Sequence, residues 1–383
     1  MIKILHVASF NGNVGDNANH NGLRSLLKRQ FDDELSYTEL EIRKFYQNYS
    51  RADKLRFDES FAKLANEHDM VIIGGGNFFE IWIDSSSTGT TIDMAPHIVD
   101  MIETPIFFFG LGFDPHKGAP KANIEKFKRF VDQIYAAKIH TITVRNDGSA
   151  KHLRNLLGEE YTKKIEPIPD GGFFIEESSL YKDPLKLKKS YIAVNIAKDM
   201  SDLRFNPADN GIDYKTFISE LAGVLEDFLS RNEDMELLLI PHIYSDLDAI
   251  YDLMAEMEDL YRRNRITVAP LLHGEGSEKT IFSLYKEAVF AMGMRFHTNV
   301  CSIGLNTPTI ALCSYPKLYD LYEELDLLDR VVIVNRPGFQ KKLAKQIQSS
   351  MENVSSIKKR YLEIRQRLEQ QAESILGKTV KKL

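Results

Sequence analysis

The sequence predicts an α/β protein with two Rossmann-like domains, each built on a parallel sheet, followed by a long C-terminal helix. Short, nearly all-apolar runs recur along the chain, and each is followed by a stretch in which apolar residues have helical spacing. A polar segment at residues 179–189 interrupts this alternation, which then starts again. Strands are continuous apolar runs when helices cover both faces of a parallel sheet, so the pattern favours two such sheets.

Composition and charge limit the possible functions. The chain has 383 residues, and at about 150 residues per domain this length favours two domains. Its 49 basic and 55 acidic residues give a net charge of −6, which argues against nucleic acid as a partner. The two cysteines, Cys301 and Cys313, lie in apolar segments, so we expect neither a disulfide scaffold nor a thiolate metal site.

The sequence predicts a cytoplasmic protein. No apolar run approaches the ~20 residues of a membrane-spanning helix, and the N-terminal apolar run is too short for a signal peptide. A small basic cluster at residues 358–360 has two interpretations. It is either a solvated helix face, which we favour, or a contact with an anionic membrane surface that would make the protein peripheral to the membrane.

The apolar runs also give the domain boundaries. The predicted strands are residues 2–10, 70–73, 105–109 and 141–144 in the first domain, and 191–196, 237–240, 266–269, 289–292 and 309–312 in the second. The predicted boundaries are 1–178 for the first domain, 179–189 for the linker and 190–338 for the second domain. Residues 339–383 keep the spacing of one long or broken amphipathic helix.

Ligands bind open parallel sheets at the carboxyl ends of the strands, and two glycine-rich loops are predicted there. The first, at residues 11–18, matches neither a P-loop nor a GxGxxG motif, and we expect a helix from Gly22. It either lets a ligand approach closely or forms a tight turn in which Asp16 or Asn17 caps the helix. The second, at residues 74–77, is either a tight turn or a set of backbone N–H groups facing an anion, and we favour the latter.

Basic residues also stand at predicted strand ends. Arg295 and His297 lie at a strand-to-helix junction of the second domain, where an arginine can grip an anion and a histidine can transfer a proton. If the backbone is extended there, both side chains project to one side. The alternative is a structural salt bridge and a packed histidine. Arg145 ends a strand of the first domain, and its alternative is a surface ion pair with Asp147.

Asp246 and Asp248 have the spacing of a metal-binding pair, but helix capping is the interpretation we favour. The sequence contains no HExxH, GxSxG or CxxC motif, which argues against a zinc enzyme or a serine hydrolase.

Taken together and in order, these segments resemble the polysaccharide pyruvyl transferase family. The matching pieces are residues 13–18, 72–76, 110–112, Val144-Arg145 with Ser149, Pro241-His242, residues 293–297, Gly304, Pro308 and residues 315–317. They span about residues 4 to 317, and the Arg-x-His unit ahead of Gly-x-x-x-Pro is the most specific of them.

The resemblance implies a fold similar to GT-B glycosyltransferases, with two Rossmann-like domains facing a cleft. It also implies transfer of a pyruvyl group from phosphoenolpyruvate to two hydroxyls of a sugar, as a cyclic ketal, with release of phosphate. No cofactor and no metal is expected. The acceptor would be a polysaccharide or its lipid-linked precursor at the inner membrane surface. Phosphoenolpyruvate carries roughly −2.5 to −3 charges near neutral pH, which fits a site built around arginine.

The resemblance assigns roles to the residues that match it. Arg295 and His297 are the predicted catalytic residues, with His297 transferring protons. The predicted donor-binding residues are Arg295, Phe296, His297, Arg145, His242 and Lys317. The predicted acceptor-binding residues are Asn13, Gly15, Asp16, Asn17, His20, Gly75, Gly76 and Asn77. His20 belongs to a polar run, residues 19–21, where the family usually continues with an apolar helix.

Two other functions remain open at this point. One is a GT-B-type glycosyltransferase that uses a nucleotide sugar, since fold alone does not fix the chemistry. The other is a noncatalytic sugar-binding component of polysaccharide assembly.

Overall fold

The computed structural model describes residues 1–182, 184–187 and 189–383 and contains two parallel six-stranded sheets. The strands of the first sheet are β1 (Ile2–Ala8), β2 (Leu35–Glu41), β3 (Met70–Gly74), β4 (Ile106–Leu111), β5 (Thr141–Arg145) and β6 (Glu166–Ile168). Those of the second are β7 (Ser190–Asn195), β8 (Met235–Leu239), β9 (Ile266–Val268), β10 (Ala291–Gly293), β11 (Thr309–Cys313) and β12 (Val331–Ile333). The predicted α/β fold class is confirmed.

Strand order in both sheets follows the doubly wound pattern. The first sheet has the order β2-β1-β3-β4-β5-β6 and the second β12-β11-β10-β7-β8-β9, with parallel pairing throughout the described ladders. Strands β3 and β4 are buried along their whole length, as their apolar sequences predict. The carboxyl ends of β7 and β10 are neighbours, because Gly293 pairs with Asn195.

Helices connect the strands. In chain order they are α1 (Val14–Lys28), α2 (Glu59–Ala65), α3 (Pro96–Met101), α4 (Lys121–Ala136), α5 (Ser149–Leu157), α6 (Glu159–Thr162), α7 (Ser201–Arg204), α8 (Tyr214–Arg231), α9 (Asp246–Glu256), α10 (Asp259–Asn264), α11 (Ser277–Glu287), α12 (Phe296–Gly304), α13 (Pro316–Glu324), α14 (Phe339–Glu352) and α15 (Val354–Val380). The C-terminal helical pattern is therefore broken at Asn353. Within the described residues, no helix has both the length and the apolar character needed to cross a membrane.

Contacts divide the chain into two compact units. The first unit comprises residues 1–10, 23–171 and 368–383, and the second comprises residues 11–22 and 172–367. The predicted domain boundaries stay predictions, and the parts of the predicted linker at Asp183 and Lys188 lie outside the described residues. In the basic cluster at residues 358–360, Arg360 donates a 2.8 Å hydrogen bond to Asp329.

One prediction of local structure is wrong. The glycine- and asparagine-rich segment at residues 11–18 is not a loop throughout, because helix α1 begins at Val14 rather than at Gly22. Val14 and Ala18 are spaced one helical turn apart and are buried in an apolar cluster of the second unit with Phe282 and Tyr285. This burial fixes the beginning of the helix.

Candidate functional site

Arg295 stands where β10 gives way to α12. Its backbone is extended, with φ −77° and ψ 141°, and it occupies the N-cap position of the helix that begins at the next residue, without a side-chain capping bond. Its backbone N–H donates to Asn195 Oδ1 over 3.0 Å, and its carbonyl accepts from Asn299 Nδ2 over 2.8 Å. These two bonds, from a neighbouring strand and from the helix itself, fix the backbone from which the guanidinium projects.

Two carboxylates hold the guanidinium of Arg295. Its Nε lies 3.1 Å from Asp246 Oδ1, and its Nη1 lies 3.1 Å from Asp199 Oδ2. Burial alone would lower the pKa of Arg295, but Asp246 and Asp199 raise it above its ordinary value. The side chain keeps 15% exposure, so the guanidinium is charged and still reachable by a small anion. Both partners belong to the second unit.

Asp246 is the fixed carboxylate of the pair. It is fully buried, and its Oδ2 accepts from the backbone N–H of His242 over 2.9 Å and from Asn195 Nδ2 over 3.4 Å. It begins helix α9, yet it bonds backbone groups that precede the helix rather than capping its first turn. Asp248 is exposed. The carboxylate of Asp246 therefore anchors Arg295.

Removing the charge of Asp246 should destabilise the protein. In Asp246→Asn, Arg295 loses its buried partner but keeps Asp199, so we expect a loss of about 3 kcal/mol and a fall in Tm of roughly 6–12 °C by scanning calorimetry. Asp248→Asn, on the same helix but exposed, should change stability by no more than about 0.5 kcal/mol. Equal effects of the two substitutions would contradict the anchoring role.

His297 is the second residue of α12 and lies against helix α1. The residue is 6% exposed. A Cβ added at Gly15 would lie only 2.6 Å from His297 Cβ and Cγ, so the backbone of α1 lies against the His297 side chain and leaves no room for a side chain at position 15. Phe296 lies between Arg295 and His297 in the sequence, and Lys317 Nζ lies 5.4 Å from the centre of its ring, in a cation–π contact. The position of His297 therefore requires glycine at residue 15.

His242 is a neutral, buried neighbour of this pair. Burial, Arg295 and His297 together hold its pKa well below the ordinary histidine value. Its Nε2 lies 2.9 Å from Tyr285 Oη and 3.3 Å from Thr298 Oγ1. His242 therefore supplies hydrogen bonds to the base of the site and no positive charge.

The beginning of helix α1 brings further predicted residues to the second unit. Asn17 Nδ2 donates to the carbonyl of Gly274 over 2.7 Å and to Ser277 Oγ over 3.1 Å. Asn13 Oδ1 accepts from the Gly15 N–H over 3.0 Å. His20 is buried further along the helix, and Asp16 is half-buried in its first turn. This segment therefore belongs to the same unit as the predicted donor-binding residues Arg295, Phe296, His297, His242 and Lys317.

Other predicted residues form a separate group in the first unit. Arg145 is buried, with Nε 2.9 Å from Asp147 Oδ2 and Nη1 3.3 Å from Asp170 Oδ2, so the ion pair with Asp147 exists but is not on the surface. A Cβ added at Gly112 would lie 3.1 Å from Arg145 Nη2 and would collide with Asn77 Oδ1. Asn77 and Arg145 therefore meet at Gly112.

The triple glycine precedes Asn77 and is shaped by strand β4. Gly74 and Gly75 have φ of 144° and 77°, values that favour glycine. The N–H of Gly75 donates to the carbonyl of Phe109 over 3.0 Å. This N–H is used within the protein, so a tight turn describes Gly75 better than an anion-binding set of amides.

Three polar residues of these two groups were not predicted from the sequence. Asp199 and Arg204 follow strand β7, and Asp170 follows β6. Asp199 and Arg204 could have been predicted, because residues that follow the carboxyl end of any strand of a parallel sheet are candidates for ligand binding. Strand β6, with three residues, gave no recognisable apolar run.

Comparisons with known proteins agree with the fold and give the family. A sequence model described as polysaccharide pyruvyl transferase matches residues 13–315. No curated protein matches the chain. Among solved structures, a UDP-GlcNAc 2-epimerase from Neisseria meningitidis bound to UDP-GlcNAc is similar, with 12% identity and a TM-score of 0.54 over 100% of both chains.

Two further structures show the same likeness. A glycosyltransferase from Rickettsia africae has 12% identity and a TM-score of 0.52, covering 99% of this chain and 93% of that chain. The UDP-GlcNAc 2-epimerase from Methanocaldococcus jannaschii has 9% identity and a TM-score of 0.54, covering 91% of this chain and 93% of that chain. At such identities the likeness concerns the fold alone, and it confirms the predicted GT-B-like class.

Proposed function

Since this chain belongs to the polysaccharide pyruvyl transferase family and is thus an enzyme of polysaccharide pyruvylation, we propose that its donor is phosphoenolpyruvate. The pyruvyl group is transferred to two hydroxyls of one sugar in a polysaccharide or its lipid-linked precursor, as a cyclic ketal, and phosphate is released. The observation that carries this proposal is the charged, reachable guanidinium of Arg295 next to the beginning of α12. Helix N-termini favour anions, and arginine binds carboxylate or phosphate through two parallel hydrogen bonds.

The reaction requires a proton to be added to a carbon of the donor and protons to be removed from two hydroxyls of the acceptor. The methylene carbon of phosphoenolpyruvate takes a proton, C2 becomes electrophilic, and one sugar hydroxyl adds to it. The C2–O bond to phosphate then breaks, and a second hydroxyl closes the ring. Of the two protons released by the hydroxyls, one balances the proton taken by the methylene carbon and the other leaves with phosphate. His297 is the group we propose for this proton transfer, because imidazole exchanges protons near neutral pH.

The remaining roles divide between the two units. In the second unit, Phe296, His242 and Lys317 support the donor, and Asn13, Gly15, Asp16, Asn17 and His20 are proposed for the acceptor. In the first unit, Gly75, Gly76 and Asn77 are proposed for the acceptor, and Arg145 for the anionic groups of the donor. Asp147 and Asp170 already neutralise Arg145. We therefore expect Arg145 to attract the anionic donor less strongly than Arg295 does.

Thermal stability in the presence of ligands tests the choice of donor. We expect phosphoenolpyruvate to raise the Tm and UDP- or GDP-sugars to leave it unchanged, because only a ligand that binds the folded state stabilises it. A shift with nucleotide sugars alone would instead identify a glycosyltransferase. Binding of phosphoenolpyruvate without phosphate release for any member of a panel of acceptor glycans would identify a noncatalytic component.

The contact between helix α1 and His297 gives a further prediction. In Gly15→Ala, the added methyl collides with the imidazole and displaces it. We expect phosphate release, measured well below the Tm, to fall about 100-fold, as for a misplaced catalytic group, and the overpacked contact to cost about 1–3 kcal/mol of stability. Gly223→Ala is the matched control, since a Cβ there meets nothing within 4 Å among the described residues around helix α8. That variant should keep full activity and gain about 0.5–1 kcal/mol of stability. Unchanged activity in Gly15→Ala would contradict the role of this contact.

A further inference from the structure

We propose that Asp199 is an internal competitor of the donor, and that Arg204 is a second guanidinium that binds the donor anion once Asp199 is displaced. This inference rests on the proposed function and adds two residues to its donor site. Asp199 and Arg204 lie on the segment that follows β7, beside the strand end that carries Arg295.

Two arginines share the carboxylate of Asp199. Its Oδ1 lies 2.8 Å from Arg295 Nη2 and 3.9 Å from Arg204 Nη2. Arg204 is 7% exposed, and burial lowers its pKa, with the positive charge of Arg295 lowering it further against the opposing effect of Asp199. The two guanidinium groups therefore repel each other, and an anion is required between them.

Asp199 is held less firmly than Asp246. Its side chain is 28% exposed, whereas that of Asp246 is 0% exposed. Despite its 2.8 Å approach to Arg295, Asp199 Oδ1 is buried and makes no hydrogen bond of good geometry with the described part of the chain. The next residue, Met200, has φ 54°, a left-handed conformation that is strained for a side chain other than glycine. Asp199 is therefore the carboxylate that an incoming anion can displace.

Arg204 is oriented for the anion by bonds that do not need Asp199's carboxylate. Its Nε donates to the backbone carbonyl of Asp199 over 3.0 Å, and its Nη1 donates to Ser314 Oγ over 3.2 Å. When the carboxylate leaves, Arg295 Nη1 and Arg204 Nη2 lose the partner they share, while Asp246 still holds Arg295 Nε. Phosphoenolpyruvate carries two anionic groups, phosphate and carboxylate, and matches this pair.

Titration calorimetry with phosphoenolpyruvate and with inorganic phosphate tests the inference. Asp199→Asn removes the competing charge and keeps the shape, so we expect Kd for both ligands to fall about tenfold. Arg204→Met should raise both Kd values about 30-fold, and Arg204→Lys should recover part of that loss, because charge returns without the fork. Asp252→Asn is the control, since Asp252 also has 28% side-chain exposure and pairs with Lys198 of the same unit. It should leave both Kd values unchanged.

The outcomes separate this inference from the proposed function. Unchanged or weaker binding in Asp199→Asn, or equal tightening in Asp252→Asn, overturns the inference while the function stands. A lower Tm in Arg204→Met with unchanged Kd values also overturns it, because Arg204 would then be structural only. Tighter phosphate binding by Asp199→Asn without any binding of phosphoenolpyruvate supports the displaced carboxylate and rejects the proposed donor. No binding of either ligand to any variant overturns both.

Discussion

Replacing Arg295 by alanine should abolish donor binding. The guanidinium is the charged group at the beginning of α12 that an anion can reach, and its loss leaves the carboxylates of Asp246 and Asp199 to repel the donor. Truncating one partner of a buried charge pair costs about 2–5 kcal/mol in binding, so Kd for phosphoenolpyruvate should rise at least about 30-fold. Calorimetric titration or the ligand-induced rise in Tm measures this loss.

Two controls separate lost binding from lost folding. Arg295→Ala leaves Asp246 buried without its partner, so the double variant Asp246→Asn with Arg295→Met, which removes both charges, should recover stability but not donor affinity. Arg330 is a buried arginine of the same unit that bonds the Thr309 carbonyl and Ser350. Arg330→Met should lower the Tm and leave the donor Kd unchanged. Normal donor binding in the double variant would refute the role of Arg295.

The central strands of both sheets were predictable from sequence, whereas of the four edge strands only β9 was. Strands such as β3 are buried on both faces and consist of one apolar run, which is typical of the interior of a parallel sheet. The unpredicted strands β2, β6 and β12 all lie at sheet edges. Strand β2 has half-buried and exposed residues but no fully buried one, and β6 and β12 have three residues each. Their pairing depends on the sheet beside them rather than on their own composition.

Helix α1 shows a different limit. Its first half contains buried polar residues, among them Asn17, Asn19 and His20, which hide the spacing of Val14 and Ala18. Asn17 is buried because it bonds Gly274 and Ser277, about 260 residues away. Such distant partners cannot be inferred from the local pattern, so the segment resembled a loop until the fold brought α11 beside it.

The sequence predicted the basic residues of the candidate site but not the carboxylates that pair with Arg295. The motif at residues 293–297 identified a guanidinium and an imidazole at a strand end. The carboxylates that hold Arg295 come from Asp246 and Asp199, which lie 49 and 96 residues away in sequence. No spacing rule links them to Arg295, because their proximity follows from the neighbouring positions of β7, β8 and β10 in the sheet. The pairing of Arg295 with Asp246 and Asp199 can therefore be recognised only in the folded chain.

Replacing His297 by alanine should reduce turnover far more than donor binding. The imidazole is packed against Gly15 on α1, and Arg295 supplies the charge that holds the anion. Without a proton-transfer group, kcat for phosphate release should fall about 10²–10⁴-fold, while Kd for phosphoenolpyruvate changes less than about threefold. His273→Ala, at an exposed histidine of the same unit, should match the wild type. An unchanged rate in His297→Ala would assign the proton transfer to another residue, since a group that moves protons in the rate-limiting steps cannot be removed without cost.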